Sequence, residues 1–194
     1  MSYIFGYGSI INSKSRSKTG KTGKCYPAIV TGLQRAWDLP IPGEAVTALG
    51  ITKKPKIKCN GIVVEIDSNE LNNFDKREKG YRRIPVREKN IQGFNPQGKV
   101  WVYTNVKTTK PTLNKPIIQS YLDVIIQGCL EYGKQFAIKF VETTTNWNYP
   151  WINDRPNPRY PRALENNPKL FKKVDNILKQ AIPNQLAKRQ TIQF

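Results

Sequence analysis

The sequence contains no histidine among its 194 residues. This absence excludes Ser-His-Asp and Cys-His catalytic triads, histidine-ligated zinc hydrolases and any mechanism with a histidine general base. An enzyme with this sequence must therefore use carboxylates, tyrosine, lysine, serine, cysteine or backbone groups for its chemistry.

Cysteine is scarce as well. The three cysteines, Cys25, Cys59 and Cys129, are widely spaced, and none forms a C-x-x-C pair. An odd, scattered set does not fit a disulfide framework or a thiolate zinc site. We therefore predict no metal site and interpret the cysteines as small buried apolar residues.

Long apolar runs are also missing from the sequence. No segment approaches the ~20 apolar residues needed to span a bilayer, and no basic region followed by an apolar stretch opens the chain. The sequence has no Asn-x-Ser/Thr site. We expect a cytoplasmic protein that has no membrane partner.

Acidic residues are few. Fourteen Asp and Glu stand against 32 Lys and Arg, which gives a formal net charge of +18. Such a balance suggests an anionic partner, whether nucleic acid, a membrane surface or an acidic small molecule. The basic residues are dispersed along the chain, however, and a solvated surface of a lysine- and asparagine-rich protein is the favoured interpretation.

Proline and glycine are abundant, with 14 and 13 residues, so strands and loops should outnumber long helices. A strand over residues 3–7 enters a tight glycine loop, and residues 12–24 are predicted to form an exposed loop. Pro40, Pro42 and Gly43 predict a turn. Further strands are predicted over residues 28–33, 45–51, 61–66, 82–88 and 100–104.

Three helices are predicted, two of them late in the chain. Ser68 suits the N-cap of a short helix. The clearest helix begins near Asn114, and Gly133 is placed to stop it. Residues 168–182 predict a last, amphipathic helix. Strands that precede helices favour an α+β fold.

Gly20-Lys21-Thr22 looks like the end of a phosphate-binding P-loop. That motif needs a glycine five positions earlier, where Ser15 stands, and it must follow a strand and open a helix. The tripeptide lies in a polar segment instead. Nucleotide binding is not expected there.

Two short blocks carry the functional information. The first is Phe5-Gly6-Tyr7-Gly8-Ser9-Ile10, and the second is Phe74-Asp75-Lys76-Arg77-Glu78-Lys79-Gly80-Tyr81-Arg82-Arg83. A glycine loop after a strand can present successive backbone N–H groups to an anion or a carbonyl oxygen. Each block alone is also compatible with an ordinary structural turn.

Together, in this order and about seventy residues apart, the blocks resemble the gamma-glutamylcyclotransferase superfamily. They are most similar to the Tyr-Gly-Ser loop and the Asp-x-Arg-Glu-Lys-Gly-Gly-Tyr-Arg segment of its ChaC-like, glutathione-specific branch. Arg35-Ala36-Trp37 resembles the family's Arg-x-Trp. Residues 46–49 and 60–64 resemble its central strand pair. The likeness covers roughly residues 2–140.

The sequence also departs from the family pattern. Ile10 replaces the leucine that follows the serine, Asn12 replaces a tryptophan, and the single Gly80 replaces a glycine pair. Residues 142–194 have no counterpart in the glutathione-specific branch. These differences affect the expected substrate more than the expected chemistry.

The resemblance implies an α+β fold, a small mixed β-barrel flanked by helices. Residues 1–145 would form the gamma-glutamylcyclotransferase-like domain, and residues 146–194 a C-terminal extension packed on it. In that extension Arg155, Arg159 and Arg162 interleave with Trp147, Trp151 and Tyr160. Such a stretch can bind nucleic acid, but we expect it to wrap the domain and to close one side of the active cleft.

The resemblance also implies an activity: cleavage of a gamma-glutamyl bond by attack of the substrate's α-amine on its own γ-carbonyl, which releases 5-oxoproline and a free amine. Because the attack is intramolecular, proximity removes much of the barrier. No metal or organic cofactor is implied. Glu78 stands at the family's catalytic glutamate and would act as general base and as proton donor to the leaving amine.

The remaining site residues also follow from the resemblance. The backbone N–H groups of Gly8, Ser9 and Ile10 would cradle the polar groups of the substrate. Tyr7 would line the pocket and Tyr103 would reach the substrate. Arg35 would either meet a substrate carboxylate or serve as a structural ion-pair partner.

The expected partner is a small gamma-glutamyl compound, either glutathione or another gamma-glutamyl amine or amino acid. The alternative is a non-catalytic member of the fold that binds nucleic acid through its basic surface. The two hypotheses differ in geometry. The enzyme requires Glu78 to face a cavity beside Gly8 and Ser9, whereas the binding protein requires a continuous basic and aromatic face.

Overall fold

The computed structural model describes residues 2–41, 43–78 and 80–191. The strands in these residues are β1 Ser2–Gly6, β2 Cys25–Pro40, β3 Thr47–Ile66, β4 Tyr81–Val86, β5 Ile91–Gln92, β6 Lys99–Asn105, β7 Ile117–Ile118, β8 Thr144–Thr145, β9 Trp151–Asn153 and β10 Gln190–Thr191. The helices are α1 Ser13–Ser17, α2 Leu71–Arg77, α3 Gln119–Leu130, α4 Lys134–Glu142, α5 Pro168–Ala181 and α6 Pro183–Leu186.

Across the described residues the strands form one mixed ten-stranded sheet in the order β10-β9-β7-β3-β1-β6-β4, and β2 pairs with β3, β5 and β8. Strand β1 pairs with β3 in the antiparallel direction and with β6 in the parallel direction. The helices flank this sheet. The predicted α+β class and the flanking helices are confirmed, and the sheet is mixed as expected. Closure of this sheet into the small barrel that the resemblance implies stays a prediction.

Strand β1 is central and is covered on both faces, which explains why its residues 3–5 are apolar. Successive side chains of a strand point to opposite faces. Tyr3 and Phe5 accordingly belong to one buried cluster, whereas Ile4 belongs to a larger one that also contains residues of α3, α4 and α5. This burial fixes the position of the glycine loop that follows β1.

Strands β2 and β3 form a long hairpin that contains three of the predicted strands, residues 28–33, 45–51 and 61–66. The pairing register shifts between Thr31 and Leu33, where Gly32 adopts a φ of +95°. At the predicted turn Gly43 has a φ of +79°, and Glu44 N–H donates to the Ile41 carbonyl. Pro42 of that turn lies outside the described residues.

The prediction of an exposed loop over residues 12–24 holds for residues 18–24 but is wrong for residues 12–17. The Asn12 side chain accepts a hydrogen bond from Ser15 N–H at 2.8 Å and caps α1. Arg16 is buried and donates from Nη1 to the Ile10 carbonyl at 2.8 Å. A one-turn helix is too short to show a hydrophobic period, so only the capping contact reveals it.

The predicted helix start at Asn114 is also wrong, because α3 begins at Gln119. Ile117 and Ile118 form the short strand β7 between β3 and β9. Gly133, with a φ of +103°, separates α3 from α4, so the predicted stop is confirmed.

The other two predicted helices are present. Ser68 lies inside a 3-10 turn that Asp67 caps, and α2 follows it directly. The last helix is confirmed as α5, and its first turn is capped by the Asn167 side chain, which accepts from Leu170 N–H at 3.1 Å. No helix of the described chain has the length and apolar character needed to cross a membrane.

The described residues after position 145 pack on the same core as the strands. Trp147, Trp151 and Val174 are buried in the larger cluster together with Trp37 of β2. Arg155 is held between two carboxylates, with Asp123 at 2.8 Å and Asp175 at 2.9 Å. Trp147 and Trp151 are therefore packed in the core, and Arg155 is paired with two carboxylates.

Candidate active site

Glu78 lies immediately after α2, whose position is fixed by the fully buried Phe74. Glu78 N–H donates to the Phe74 carbonyl at 2.9 Å, and Tyr81 N–H donates to the Glu78 carbonyl at 3.0 Å. Between them Gly80 has a φ of +98°, a conformation that favours glycine. This turn directs the chain from α2 into β4 and leaves the carboxylate at the junction.

The glycine loop after β1 forms the opposite wall. Gly8 precedes a 3-10 turn, Ser9–Ile11, in which Ile11 N–H donates to the Gly8 carbonyl at 3.0 Å. A Cβ atom at Gly8 would lie 3.2 Å from the Tyr121 hydroxyl. Within the described residues the amides of Gly8, Ser9 and Ile10 have no hydrogen-bond acceptor, as is usual for the start of a helical turn.

These elements enclose an inner chamber of about 40 Å³. It is lined by Phe5, Gly6, Tyr7, Gly8, Ser9, Ile10, Leu49, Glu78, Tyr81, Tyr103 and Tyr121. The structure thus brings Glu78 together with Tyr7, the residues 8–10 and Tyr103. All of the predicted site residues except Arg35 line this one cavity.

A wider outer chamber, of about 430 Å³, adjoins the inner one. The two share Ser9, Glu78, Tyr81 and Tyr121. The outer chamber is lined by Ser9, Leu39, Pro40, Ile41, Ala48, Arg77, Glu78, Gly80, Tyr81, Val106, Lys107, Thr109, Tyr121 and Tyr160. Glu78 therefore lies in the wall that the two chambers share.

Opposing effects act on the Glu78 carboxylate, whose side chain is 15% exposed. Burial raises its pKa, whereas the guanidinium groups of Arg77 and Arg162 lower it, and the net shift is upward. Arg77 Nε lies 3.2 Å from Glu78 Oε1. A carboxylate whose pKa moves towards neutrality is a better proton acceptor and donor near pH 7.

The tyrosines that surround Glu78 cannot take its place as base. Burial raises the pKa of Tyr7, Tyr81 and Tyr121, and nearby carboxylates add to the rise. These hydroxyls stay protonated near neutral pH. Among the described residues that line the inner chamber, Glu78 is the only carboxylate.

Tyr7 and Tyr103 are fixed by hydrogen bonds within the wall. Tyr7 Oη donates to the Tyr103 carbonyl at 2.8 Å, and Tyr103 Oη donates to Asp75 Oδ1 at 2.7 Å. The hydroxyl of Tyr103 thus ties β6 to α2, three residues before Glu78. The expectation that Tyr103 reaches the substrate stays a prediction.

The prediction that Arg35 meets a substrate carboxylate is wrong, because Arg35 is fully buried and lines neither chamber. Its guanidinium donates to the carbonyls of Asn60 and Phe140, both at 2.7 Å, and to the Thr144 hydroxyl at 2.7 Å. Within the described residues it also has no carboxylate partner, so it is not an ion-pair partner either. It connects β2 and β3 to the end of α4.

Arg77 was not identified as a site residue from the sequence, although it lies beside Glu78 in the second block. Arg77 Nη2 donates to Ser9 Oγ at 3.0 Å while Nε contacts Glu78, so one side chain bridges both walls. Its neighbour Arg162 donates to the Ser15 carbonyl at 3.2 Å. The position of Arg77 next to Glu78 in the motif could have identified it as a site residue. No sequence pattern identifies Arg162 in this way.

Tyr81, Tyr121 and Tyr160 were not identified as site residues from the sequence. Tyr121 belongs to the apolar helix α3, where a buried tyrosine is typical of a core. Tyr160 packs against Tyr121 with a ring separation of 4.8 Å and lines the outer chamber. Tyr160 is the one residue after position 145 among the described residues that line the outer chamber.

The cysteines are all free: Cys59 and Cys129 are buried as predicted, and Cys25 is half-buried. The residues 20–22 run into β2 and do not open a helix. Across residues 2–41, 43–78 and 80–191, no group of three or more acidic or cysteine side chains is arranged to hold a metal ion.

Comparisons with known proteins bear on the fold. No family model matches the sequence, and no curated protein gives a significant sequence match. A solved gamma-glutamyl cyclotransferase matches with a TM-score of 0.56 at 12% identity, over 90% of this chain and 98% of its own.

Two further solved structures match in the same way. An uncharacterised human protein gives a TM-score of 0.54 at 13% identity, over 89% of this chain and 97% of its own. YkqA from Bacillus subtilis gives 0.52 at 18% identity, over 67% of this chain and 48% of its own. Likeness at these identities shows architecture alone. The chain therefore shares the fold of the solved gamma-glutamyl cyclotransferase.

Proposed function

We propose that the protein is a gamma-glutamylcyclotransferase, which converts a gamma-glutamyl compound to 5-oxoproline and a free amine. The observation that carries the proposal is the placement of Glu78 in the same inner chamber as the unpaired amides of Gly8, Ser9 and Ile10. The proposal keeps two expectations from the sequence, a cytoplasmic location and no requirement for a metal or organic cofactor.

The reaction forms one carbon–nitrogen bond and breaks another. Glu78 takes a proton from the substrate's α-ammonium group, and the resulting amine attacks the γ-carbonyl to close a five-membered ring. The tetrahedral intermediate then expels the amine, which receives the proton from Glu78. Glu78, again a carboxylate, takes the remaining surplus proton from the ring nitrogen and passes it to the released amine, which leaves as an ammonium ion. Because nucleophile and carbonyl belong to one molecule, the enzyme has only to hold the reactive conformer.

The amides of residues 8–10 suit the developing negative charge on the γ-carbonyl oxygen. Fixed N–H donors in a buried chamber stabilise such charge without reorganisation. Arg77 has a positioning role, because it contacts both Glu78 and Ser9 and so holds the base at a set distance from the loop.

The structure gives less support to the nucleic-acid alternative. A stacking surface needs exposed rings, but Trp147 and Trp151 are 5% and 2% exposed. Arg155, the first arginine of the same segment, is paired with Asp123 and Asp175. Trp147, Trp151 and Arg155 therefore serve packing and pairing and do not form an open stacking surface.

The test is incubation of the purified protein with a panel of gamma-glutamyl compounds, including glutathione, and measurement of 5-oxoproline. We expect Glu78→Gln to lower kcat by about 100-fold or more, because the amide cannot take the proton. Glu88→Gln, which alters an exposed glutamate, is the matched control and should keep full activity. Unchanged turnover in Glu78→Gln, or no 5-oxoproline from any compound, would overturn the proposal.

A further inference from the structure

The outer chamber is where the amine portion of a gamma-glutamyl substrate must lie. Glu78 and Ser9 line both chambers. If the glutamyl group is held beside the loop of residues 8–10, the bond that breaks is next to Glu78, and the group beyond that bond extends into the outer chamber. This step rests on the proposed function.

The walls of the outer chamber are apolar away from Glu78. They are formed by five aliphatic or proline side chains and by the rings of three tyrosines: Leu39, Pro40, Ile41, Ala48, Val106, Tyr81, Tyr121 and Tyr160. Ligand sites are concave and mostly apolar, with a few polar groups that fix orientation. Here those polar groups are concentrated at the end shared with the inner chamber.

The few charges in this wall are already engaged or lie at the rim. Arg77 contacts Glu78, Ser9 and Thr19. Lys107 is exposed, and besides Glu78 no described lining residue of the outer chamber is acidic. The wall therefore offers little to a polar or anionic amine beyond Lys107 and Thr109.

Val106 is a further sign that an apolar group is received here. It is 58% exposed, and among the described residues only it and Leu113 are exposed large hydrophobic residues. Val106 lines the outer chamber whereas Leu113 does not. An apolar ligand in the chamber would cover the Val106 side chain and remove it from water.

We propose that the substrate is a gamma-glutamyl conjugate of an apolar amine, one with an aryl or branched alkyl body that fills the outer chamber. The chamber discriminates against glutathione. Its leaving group, cysteinylglycine, carries a peptide bond and a carboxylate, and burying these polar groups without enough partners costs free energy.

The test compares three substrates with the purified full chain: gamma-glutamyl-phenethylamide, gamma-glutamyl-(2-hydroxyethyl)amide and glutathione. Release of 5-oxoproline gives kcat/KM for each. We expect the phenethylamide to exceed the other two by about tenfold or more, since burial of a phenyl ring in an apolar pocket has an effect of that order.

Substitutions at two exposed positions, Val106 and Leu113, show whether the outer chamber causes the preference for the apolar amine. Val106→Ser should lower kcat/KM for the phenethylamide by about threefold, as expected for the loss of part of an apolar contact, and should lower it less for the hydroxyethylamide. Leu113→Ser, the matched control, should change neither.

The outcomes separate this inference from the proposed function. Equal rates for the three substrates, a preference for glutathione, or an equal loss on both amides in Val106→Ser would overturn the apolar-amine assignment and leave cyclotransferase activity standing. If neither these three substrates nor the wider panel gives 5-oxoproline, both the apolar-amine assignment and the proposed function are overturned.

Discussion

Two buried carboxylates, Glu78 and Asp38, show how the surroundings of a residue set the pKa of its side chain. Glu78 is desolvated but contacts Arg77, and its pKa is raised. Asp38, on β2, is 7% exposed and accepts a hydrogen bond from Asn105 Nδ2 at 2.8 Å. Burial raises the pKa of Asp38 to about 6, and the bond from Asn105 only partly offsets the rise.

The raised pKa of Asp38 predicts a loss of stability as pH increases. In the native state the carboxyl binds its proton more tightly than in the unfolded chain, so the free energy of unfolding falls between pH 4 and about 6 and then levels. Asp38→Asn should remove this fall and raise the free energy of unfolding at pH 8 by up to about 3 kcal/mol.

Urea unfolding at a series of pH values measures the effect. Glu88→Gln, at an exposed site, is the control and should follow the wild type at every pH. If Asp38→Asn and the wild type lose stability in parallel between pH 4 and 6, the ionisation of Asp38 does not limit stability.

At the scale of elements, the site depends on how β2, β3 and α4 are joined. Arg35 makes that connection through hydrogen bonds to Asn60, Phe140 and Thr144, and its guanidinium carbon lies 3.5 Å from the Phe140 ring centre. Because its partners are neutral oxygens, the guanidinium contributes through geometry and satisfied hydrogen bonds. Burial lowers its pKa.

Arg35→Met should therefore destabilise the fold and leave substrate affinity unchanged. Methionine leaves several buried oxygens without donors, and we expect a loss of about 3 kcal/mol in the free energy of unfolding. Unfolding in urea and KM for the folded protein measure the two properties. Gln34→Met, the preceding half-buried position, should cost below about 0.5 kcal/mol. A large rise in KM with normal stability in Arg35→Met would return Arg35 to the binding site.

At the scale of the whole molecule, the segment after residue 145 reaches the site. We propose that residues 146–194 are an extension of the domain formed by residues 1–145. One support is that Trp147 and Trp151 pack in the larger core cluster. The other is the position of Arg162: its Nη1 donates to the Ser15 carbonyl at 3.2 Å, and Arg77 Nη1 donates to the same carbonyl at 3.4 Å. Arg162 also lowers the pKa of Glu78 through its charge.

This coupling predicts a shift of the pH profile. Ionised Glu78 is required for proton removal, so kcat/KM should rise with pH through the pKa of Glu78. Arg162→Gln removes a positive charge near Glu78, so its pKa should rise further and the acid limb of the profile should move to higher pH. Arg159→Gln, an exposed arginine three residues earlier, is the matched control and should leave the limb in place. An unmoved acid limb in Arg162→Gln would show that the extension does not act on the base.

Some elements were predicted from the sequence and others were not. The difference lies in whether the interactions that form the element are local or join segments distant in sequence. Strand β1 and helix α5 are specified by their own residues, a short apolar run in one and a cap followed by helical spacing in the other. β7 was missed because Ile117 and Ile118 are extended only through pairing with β3 and β9, distant in sequence. α1 was missed because it depends on one capping side chain and one buried arginine.

For the site, the sequence by itself determined which chemistry is available: no histidine, one motif with Glu78 and one glycine loop with residues 8–10. These are local features, because the candidate catalytic side chain and the turn residues each lie within one short contiguous block of the sequence. Only the tertiary structure decided that Glu78 and the loop share one chamber, that Arg35 points into the core, and that Tyr121 and Tyr160 complete the walls. Those facts depend on side-chain directions and on contacts between distant segments, which packing of the whole chain settles.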